Sequence, residues 1–82
     1  MHEVGIASGI LDAVRKETAM RPNARATKVG VRIGEMAGID SESLSFCFEA
    51  LVKGSDLEPL ELAIEKGRAD ELEFTYLELD EP

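Results

Sequence analysis

The stretch that decides the fold is Thr27–Gly34, which reads TKVGVRIG. Its branched apolar residues, Val29, Val31 and Ile33, occupy every second position, and the residues between them are basic or glycine. A period of two places the apolar side chains on one face of a β-strand and the others on the opposite face. The pattern therefore predicts a strand with one buried face, which segments elsewhere in the chain must cover.

A helix is predicted before this strand, from Glu3 to about Met20, and Pro22 ends it. Apolar residues recur there at the three- and four-residue spacing of an amphipathic helix. They form a broad stripe made of Ile6, Ala7, Ile10, Leu11, Ala13 and Val14. Glu3 lies in the first turn, where a negative charge is favourable to the helix dipole.

A second helix is predicted after the strand, from about Ser41 to Lys53, and Gly54 is its C-terminal cap. Either Asp40 or Ser41 can cap its N-terminus, because both carry a side-chain oxygen that accepts from free amide groups. Phe46 lies outside the apolar stripe of this helix. The stripe consists of Leu44, Cys47, Phe48 and Leu51.

The next predicted strand contains Leu60, Leu62 and Ile64, which alternate with residues of a second face. It is separated from the last strand by Lys66–Asp70, a stretch that predicts a turn. We expect the last two strands to pair as a hairpin. If the first two strands are parallel, a right-handed crossover through the second helix should join them.

The last predicted strand, from about Leu72 to Leu79, changes phase along its length. Leu72 and Phe74 share one face, whereas Leu77 and Leu79 have the opposite parity. One extra residue in a β-bulge near Thr75 would restore a common buried face. The predicted fold is therefore α+β, a two-layer arrangement of two helices on a three-stranded mixed sheet in the order α-β-α-β-β.

Length and charge limit the classes of function. The 82 residues allow one domain, and the formal net charge of −8 opposes binding to nucleic acid or to anionic membranes. No apolar run approaches the roughly 18 residues that a bilayer span requires. The start of the chain lacks the pattern of a secretion signal, so we expect a cytoplasmic protein. Self-association to a homo-oligomer would add buried surface, although nothing in the sequence requires it.

Catalytic and zinc-binding side chains are scarce. Cys47 is the only cysteine and His2 the only histidine, so no Cys/His or Ser/His/Asp arrangement is available. A single cysteine forms no internal disulfide and cannot build a four-thiolate zinc site. Its aromatic neighbours favour a small packed hydrophobe over a reactive thiol. We therefore expect a protein that is not an enzyme and that binds no zinc.

The opening residues Met1, His2 and Glu3 form the candidate metal site. The amine of Met1, the amide of His2 and its Nδ1 atom can close adjoining chelate rings around one ion, with one planar corner left open. The amide or carboxylate of Glu3, a water molecule or a partner's side chain could fill that corner. Planar nitrogen donors suit Ni(II) or Cu(II). The site exists only if Met1 is retained and unblocked.

Each of these residues also has a purely structural explanation. A histidine beside a chain terminus is most often solvated and without a special role. Glu3 in the first helical turn is sufficiently explained by the helix dipole. Asp40 is interpreted mainly as a helix cap and secondarily as a functional residue.

Several stretches together carry a family resemblance: Met1-His2-Glu3 with Ile6, Thr27–Val29, Ile33–Glu35, Gly38–Asp40, Glu42–Glu49, Leu60-Glu61 and Glu71-Leu72. In these stretches the chain resembles the HypA family of hydrogenase nickel-incorporation proteins. The resemblance is spread over nearly the whole chain and stays in register, which makes it more specific than the opening tripeptide alone.

The resemblance implies a metallochaperone that holds Ni(II) at Met1, His2 and Glu3 for delivery to a [NiFe]-hydrogenase, or in some cases urease, precursor. It implies a maturation GTPase of the HypB family and the hydrogenase large-subunit precursor as partners. The family also carries a zinc module with two Cys-x-x-Cys pairs between its last two strands. Here a turn at about residues 66–70 replaces it, so residues 1–82 are expected to form a single nickel-binding domain. A natural short form and an engineered deletion both remain open.

A different class of function is compatible with the same residues. The chain could be an interaction or regulatory module that keeps the fold without binding metal, docking on a maturation GTPase, a hydrogenase subunit or a paralogue. Exposed carboxylates, Phe46 or the first helix could form its surface. Metal binding that depends on His2 distinguishes the two hypotheses.

Overall fold

The computed structural model describes residues 2–81 and contains the five predicted elements in the predicted order. The α+β prediction is confirmed. The elements are helix α1 (Glu3–Ala19), strand β1 (Arg25–Gly34), helix α2 (Ser41–Val52), strand β2 (Glu61–Gly67) and strand β3 (Leu72–Asp80). Within residues 2–81, no helix has both the length and the hydrophobicity needed to cross a bilayer.

Strand β1 is the centre of the three-stranded sheet, whose order is β2-β1-β3. It pairs in parallel with β2, where Val31 lies opposite Ile64, and antiparallel with β3, where Val31 lies opposite Phe74. The predicted hairpin between β2 and β3 is therefore wrong, because β1 separates the two strands. The mixed character of the sheet is as predicted.

The connection from β2 to β3 passes over the end of β1. Two strand spacings amount to about 10 Å, a distance that the few residues between Gly67 and Leu72 can cover. The amide of Gly34 donates to the carbonyl of Glu71 at 2.7 Å, and the amide of Met36 donates to the carbonyl of Ala69 at 2.8 Å. These bonds hold the connection, hereafter the crossover (residues 68–71), against the end of the central strand.

Gly34 makes this close approach feasible. A Cβ atom at this position would overlap the carbonyl oxygen of Ala69 and would lie 2.6 Å from that of Arg68. Both obstacles are backbone atoms, which cannot rotate away as a side chain can. The residue type at position 34 therefore allows a topology in which the chain skips over its own central strand.

We expect Gly34→Ala to lower the free energy of unfolding by about 1–3 kcal/mol or more, the usual cost of overpacking. Gly9→Ala is the matched control, because nothing lies within 4 Å of a Cβ added on that exposed face of α1. It should be neutral or stabilising by up to about 1 kcal/mol, since alanine favours helix. Urea unfolding of both variants measures the difference. Equal stability of the two variants would contradict the crossover geometry.

The predicted β-bulge in β3 is confirmed. Gly30 pairs with Tyr76 and the next residue, Val31, pairs with Phe74, so Thr75 is the extra residue. The bulge returns the apolar residues of β3 to one face of the sheet, the face that the helices cover. On that face β3 and β1 form four apolar pairs: Leu72 with Ile33, Phe74 with Val31, Leu77 with Val29, and Leu79 with Ala26.

The core lies between that face and the two helices. Its buried residues are Ala7, Ile10, Leu11, Val14, Ala26, Val29, Val31, Ile33, Leu44, Phe48, Val52, Leu57 and Leu60. In α2 the prediction needs one correction: Leu51 is exposed, and Val52 is buried in its place. The row that packs is Leu44, Phe48 and Val52, spaced four residues apart, which is one of the ridges along a helix surface. Cys47 is half-buried against the core.

Candidate metal centre

His2 lies immediately before α1, at the N-cap position. Its backbone is extended, with φ −90° and ψ 111°, and its carbonyl accepts the first helical hydrogen bond from the amide of Ile6 at 3.2 Å. The imidazole forms no capping hydrogen bond and is exposed. The fold therefore fixes the backbone of His2 through its carbonyl and leaves the ring accessible from solvent.

Glu3 connects the beginnings of the two helices. It is the first residue of α1, and its Oε2 atom accepts a hydrogen bond from the amide of Asp40 at 3.1 Å. That bond, together with one from the Glu3 amide, lowers the pKa of the Glu3 carboxyl, because both favour the ionised form. Glu3 therefore does more than favour the helix dipole: it holds the start of α1 against the start of α2.

Asp40 is the N-cap of α2, one of the two residues that the sequence predicts for this position. Its Oδ1 atom accepts from the amides of Glu42 at 3.0 Å and Ser43 at 3.3 Å. Both capping bonds use the same oxygen, so the Oδ2 atom of this exposed side chain can take another partner. Because its amide donates to Glu3, Asp40 lies beside a residue of the candidate metal site as well as at the N-terminus of α2.

The structure thus brings Glu3 and Asp40 together, with His2 next to Glu3 in the chain. Met1, the third residue of the predicted site, lies outside the described residues. Within residues 2–81, no three side chains of histidine, cysteine, aspartate or glutamate are grouped so that they could hold a metal ion. A metal centre here would depend on backbone nitrogen atoms at the terminus in addition to the one ring.

The sequence predicts Asp40 as a possible cap at the start of the second helix, but it does not connect this residue to Glu3. The two residues are 37 positions apart, and their contact depends on how α1 and α2 pack. No local pattern could have revealed it. An aspartate before an amphipathic stretch is a clear signal for a helix cap. Because the cap already explains Asp40, the sequence gives no reason to expect its contact with Glu3.

The lowered pKa of Glu3 has a consequence that can be measured. The bond to Asp40 should stabilise the folded protein above the unfolded-state pKa of this carboxyl, and the contribution should disappear as pH falls through the lower folded-state pKa. A carbon-13 titration of the Glu3 carboxyl by NMR should have its midpoint below the midpoint measured in urea. A folded midpoint equal to or above the urea value would contradict the contact.

Comparison with known proteins identifies the family. The family described as "Hydrogenase/urease nickel incorporation, metallochaperone, hypA" matches residues 1–71 of this chain. The chain belongs to the HypA family. The match ends at the last residue of the crossover, just before β3 begins.

Two HypA hydrogenase maturation factors illustrate the similarity. The protein of Chlorobium limicola is 44% identical over 66 residues, which are 80% of this chain and 57% of that one. The protein of Caldanaerobacter subterraneus is 39% identical over 69 residues, which are 84% of this chain and 60% of that one. This member of the HypA family therefore spans less than two thirds of the length of these relatives.

A solved structure has the same fold. The solution structure of the Ni metallochaperone HypA from Helicobacter pylori superposes with a TM-score of 0.66 at 29% sequence identity. The superposition covers 82% of this chain and 58% of that one. The superposed part is therefore most of this HypA chain and a little more than half of the Helicobacter pylori protein.

Proposed function

We propose that this chain is a nickel-binding metallochaperone that holds Ni(II) at its N-terminus for delivery during maturation of a [NiFe]-hydrogenase or urease. The observation that carries this proposal is the exposed imidazole of His2, placed at the front of α1 beside a glutamate tied to the second helix. Membership of a family described as nickel-incorporating metallochaperones supports the same function.

We assign three donors to the ion: the amine of Met1, the amide nitrogen of His2 and its Nδ1 atom. The amide or carboxylate of Glu3, water or a partner's side chain would supply the fourth. The bond from the Asp40 amide at 3.1 Å orients the Glu3 carboxylate, and because carboxylates that bind metals also accept such hydrogen bonds, this group stays a candidate for the fourth position.

The role would be capture and transfer, with no reaction catalysed by the chain itself. By resemblance, a HypB-family GTPase and a hydrogenase large-subunit precursor would be the partners, in the cytoplasm. We expect no zinc, since Cys47 is the only cysteine. We further propose that residues 1–82 act as a single nickel-binding domain, in which the crossover replaces the zinc module.

Nickel titration of untagged protein with an unblocked Met1 tests the proposal. The d–d absorption of a planar, diamagnetic Ni(II) complex should appear. Protein whose N-terminal amine has been acetylated should not show this absorption. Affinity should fall as pH is lowered, because protons compete for the amine, amide and imidazole. Copper should bind at least as tightly. Binding that is indifferent to acetylation would refute the terminal site.

A second function, an interaction module without metal, is favoured by one observation. Phe46 is 73% exposed on α2, although a large aromatic side chain gains most from burial. If protein with a free N-terminal amine binds no nickel, the surface around Phe46 becomes the main functional feature. The chemistry of the surface around Phe46 does not depend on nickel.

A further inference from the structure

A groove runs between α2 and the outer edge of β2. Its larger cavity has a volume of about 590 Å³ and lies between Phe46 and Glu49 on the helix and Ile64 on the strand. A second cavity of about 310 Å³ continues it toward Leu62, and the two share Ser45 and Glu49 as lining residues. We call the two together the α2–β2 groove.

The α2–β2 groove combines an apolar floor with an acidic border. Ile64 and Leu62 are half-buried, and Phe46 exposes 73% of its surface beside them. Lys66 is the one basic residue that lines the groove. Its acidic lining residues are Glu42, Glu49, Glu61 and Glu65. None of these four carboxylates takes part in an ion pair within residues 2–81.

The groove also borders an unpaired strand edge. β2 is one of the two outer strands of the sheet, and among the described residues it pairs only with β1. Its outward amide and carbonyl groups can therefore form a ladder with another strand. The seven residues Glu61–Gly67 offer an edge of ordinary strand length.

We propose that the α2–β2 groove binds an extended, lysine- or arginine-bearing segment of a partner protein, which adds to the sheet as a fourth strand beside β2. Side chains of β2 point alternately to the two faces of the sheet, and this alternation determines which side chains the bound segment should carry. Leu62 and Ile64 lie opposite Val29 and Val31, on the helix-covered face, so they would meet apolar side chains of the added strand. Glu61 and Glu65 have the opposite parity and would meet its basic side chains.

The partner is therefore expected to carry alternating basic and apolar residues. Charge complementarity favours such a segment over a second copy of this chain, whose formal net charge is −8. The groove needs no metal, so its occupation and the capture of nickel are separable properties.

NMR titration of nitrogen-15-labelled protein with a blocked heptapeptide, in which lysine alternates with valine and leucine, tests the proposal. Saturable shifts should concentrate in β2 and α2. Two N-methylated forms of the peptide provide the sharpest control, because each removes the amide donors of one edge only. One form should bind like the parent peptide and the other should fail, whereas equal binding of both would rule out strand addition.

Two double variants with identical net charge test whether the peptide binds in the α2–β2 groove. Glu49→Lys with Glu65→Lys should weaken peptide binding by at least about tenfold, because the charges lie at the contact. Glu17→Lys with Glu35→Lys, both exposed and outside the groove, should weaken it much less. Equal losses of peptide affinity in the two double variants would mean that only net charge matters. That result would overturn the assignment of the binding site to the α2–β2 groove. Groove shifts that appear on concentrating the protein alone would identify a second copy as the occupant and overturn it as well.

Discussion

His2→Ala should abolish the planar nickel complex of unblocked protein and reduce nickel affinity by more than about 100-fold. Loss of a group that only supports a metal ligand already costs 10–100-fold, and here the ring nitrogen itself is removed. Without the imidazole, the amine and amide nitrogens would form a weaker and more labile chelate. Competition with a coloured chelator measures the affinity, and the d–d absorption reports the geometry.

The exposed position of His2 makes this variant easy to interpret. Its ring forms no capping hydrogen bond, so the fold should not depend on it, and circular dichroism should be unchanged. Val4→Ala is a suitable control, since Val4 is 58% exposed in the same first turn and has no donor atom in its side chain. If His2→Ala kept the nickel affinity of the unchanged protein, other groups such as carboxylates would have to bind the ion. That result would refute the proposed terminal site.

Elements were predictable from this sequence because their signals are local. The alternation of Val29, Val31 and Ile33 predicted β1, and the phase change around Thr75 predicted the bulge in β3. Each of these patterns is read from neighbouring residues. The burial face of a strand and the position of one extra residue follow from them directly.

The order of the strands was not predictable in the same way. A short polar turn between two strands is the usual signal for a hairpin, and the turn here is short. What changes the outcome is Gly34, which lies more than thirty residues earlier in the chain and leaves space for the crossover. The contact between Glu3 and Asp40 has the same character, because it arises from packing of the two helices. Information of this kind is absent from any single window of sequence.

Phe48→Ala should lower the free energy of unfolding by about 3–5 kcal/mol, the usual effect of truncating a buried phenylalanine. Phe48 is 1% exposed and lies in the middle of the packed row of α2. A chain of 82 residues has a total stability of roughly 4–12 kcal/mol, so the loss is a large part of it. Thermal and urea unfolding followed by circular dichroism should show a markedly lower midpoint.

Phe46→Ala supplies the matched comparison, since it removes the same side chain two positions away in the same helix. Phe46 is 73% exposed, and alanine has the higher helix propensity, so stability should change by less than about 0.5 kcal/mol. A large loss in Phe46→Ala would mean that its ring is buried in solution, either against a second copy that occupies the α2–β2 groove or by packing within its own chain. Because that loss would then depend on protein concentration only if the occupant is a second copy, repeating the unfolding at two concentrations separates self-association from packing within one chain.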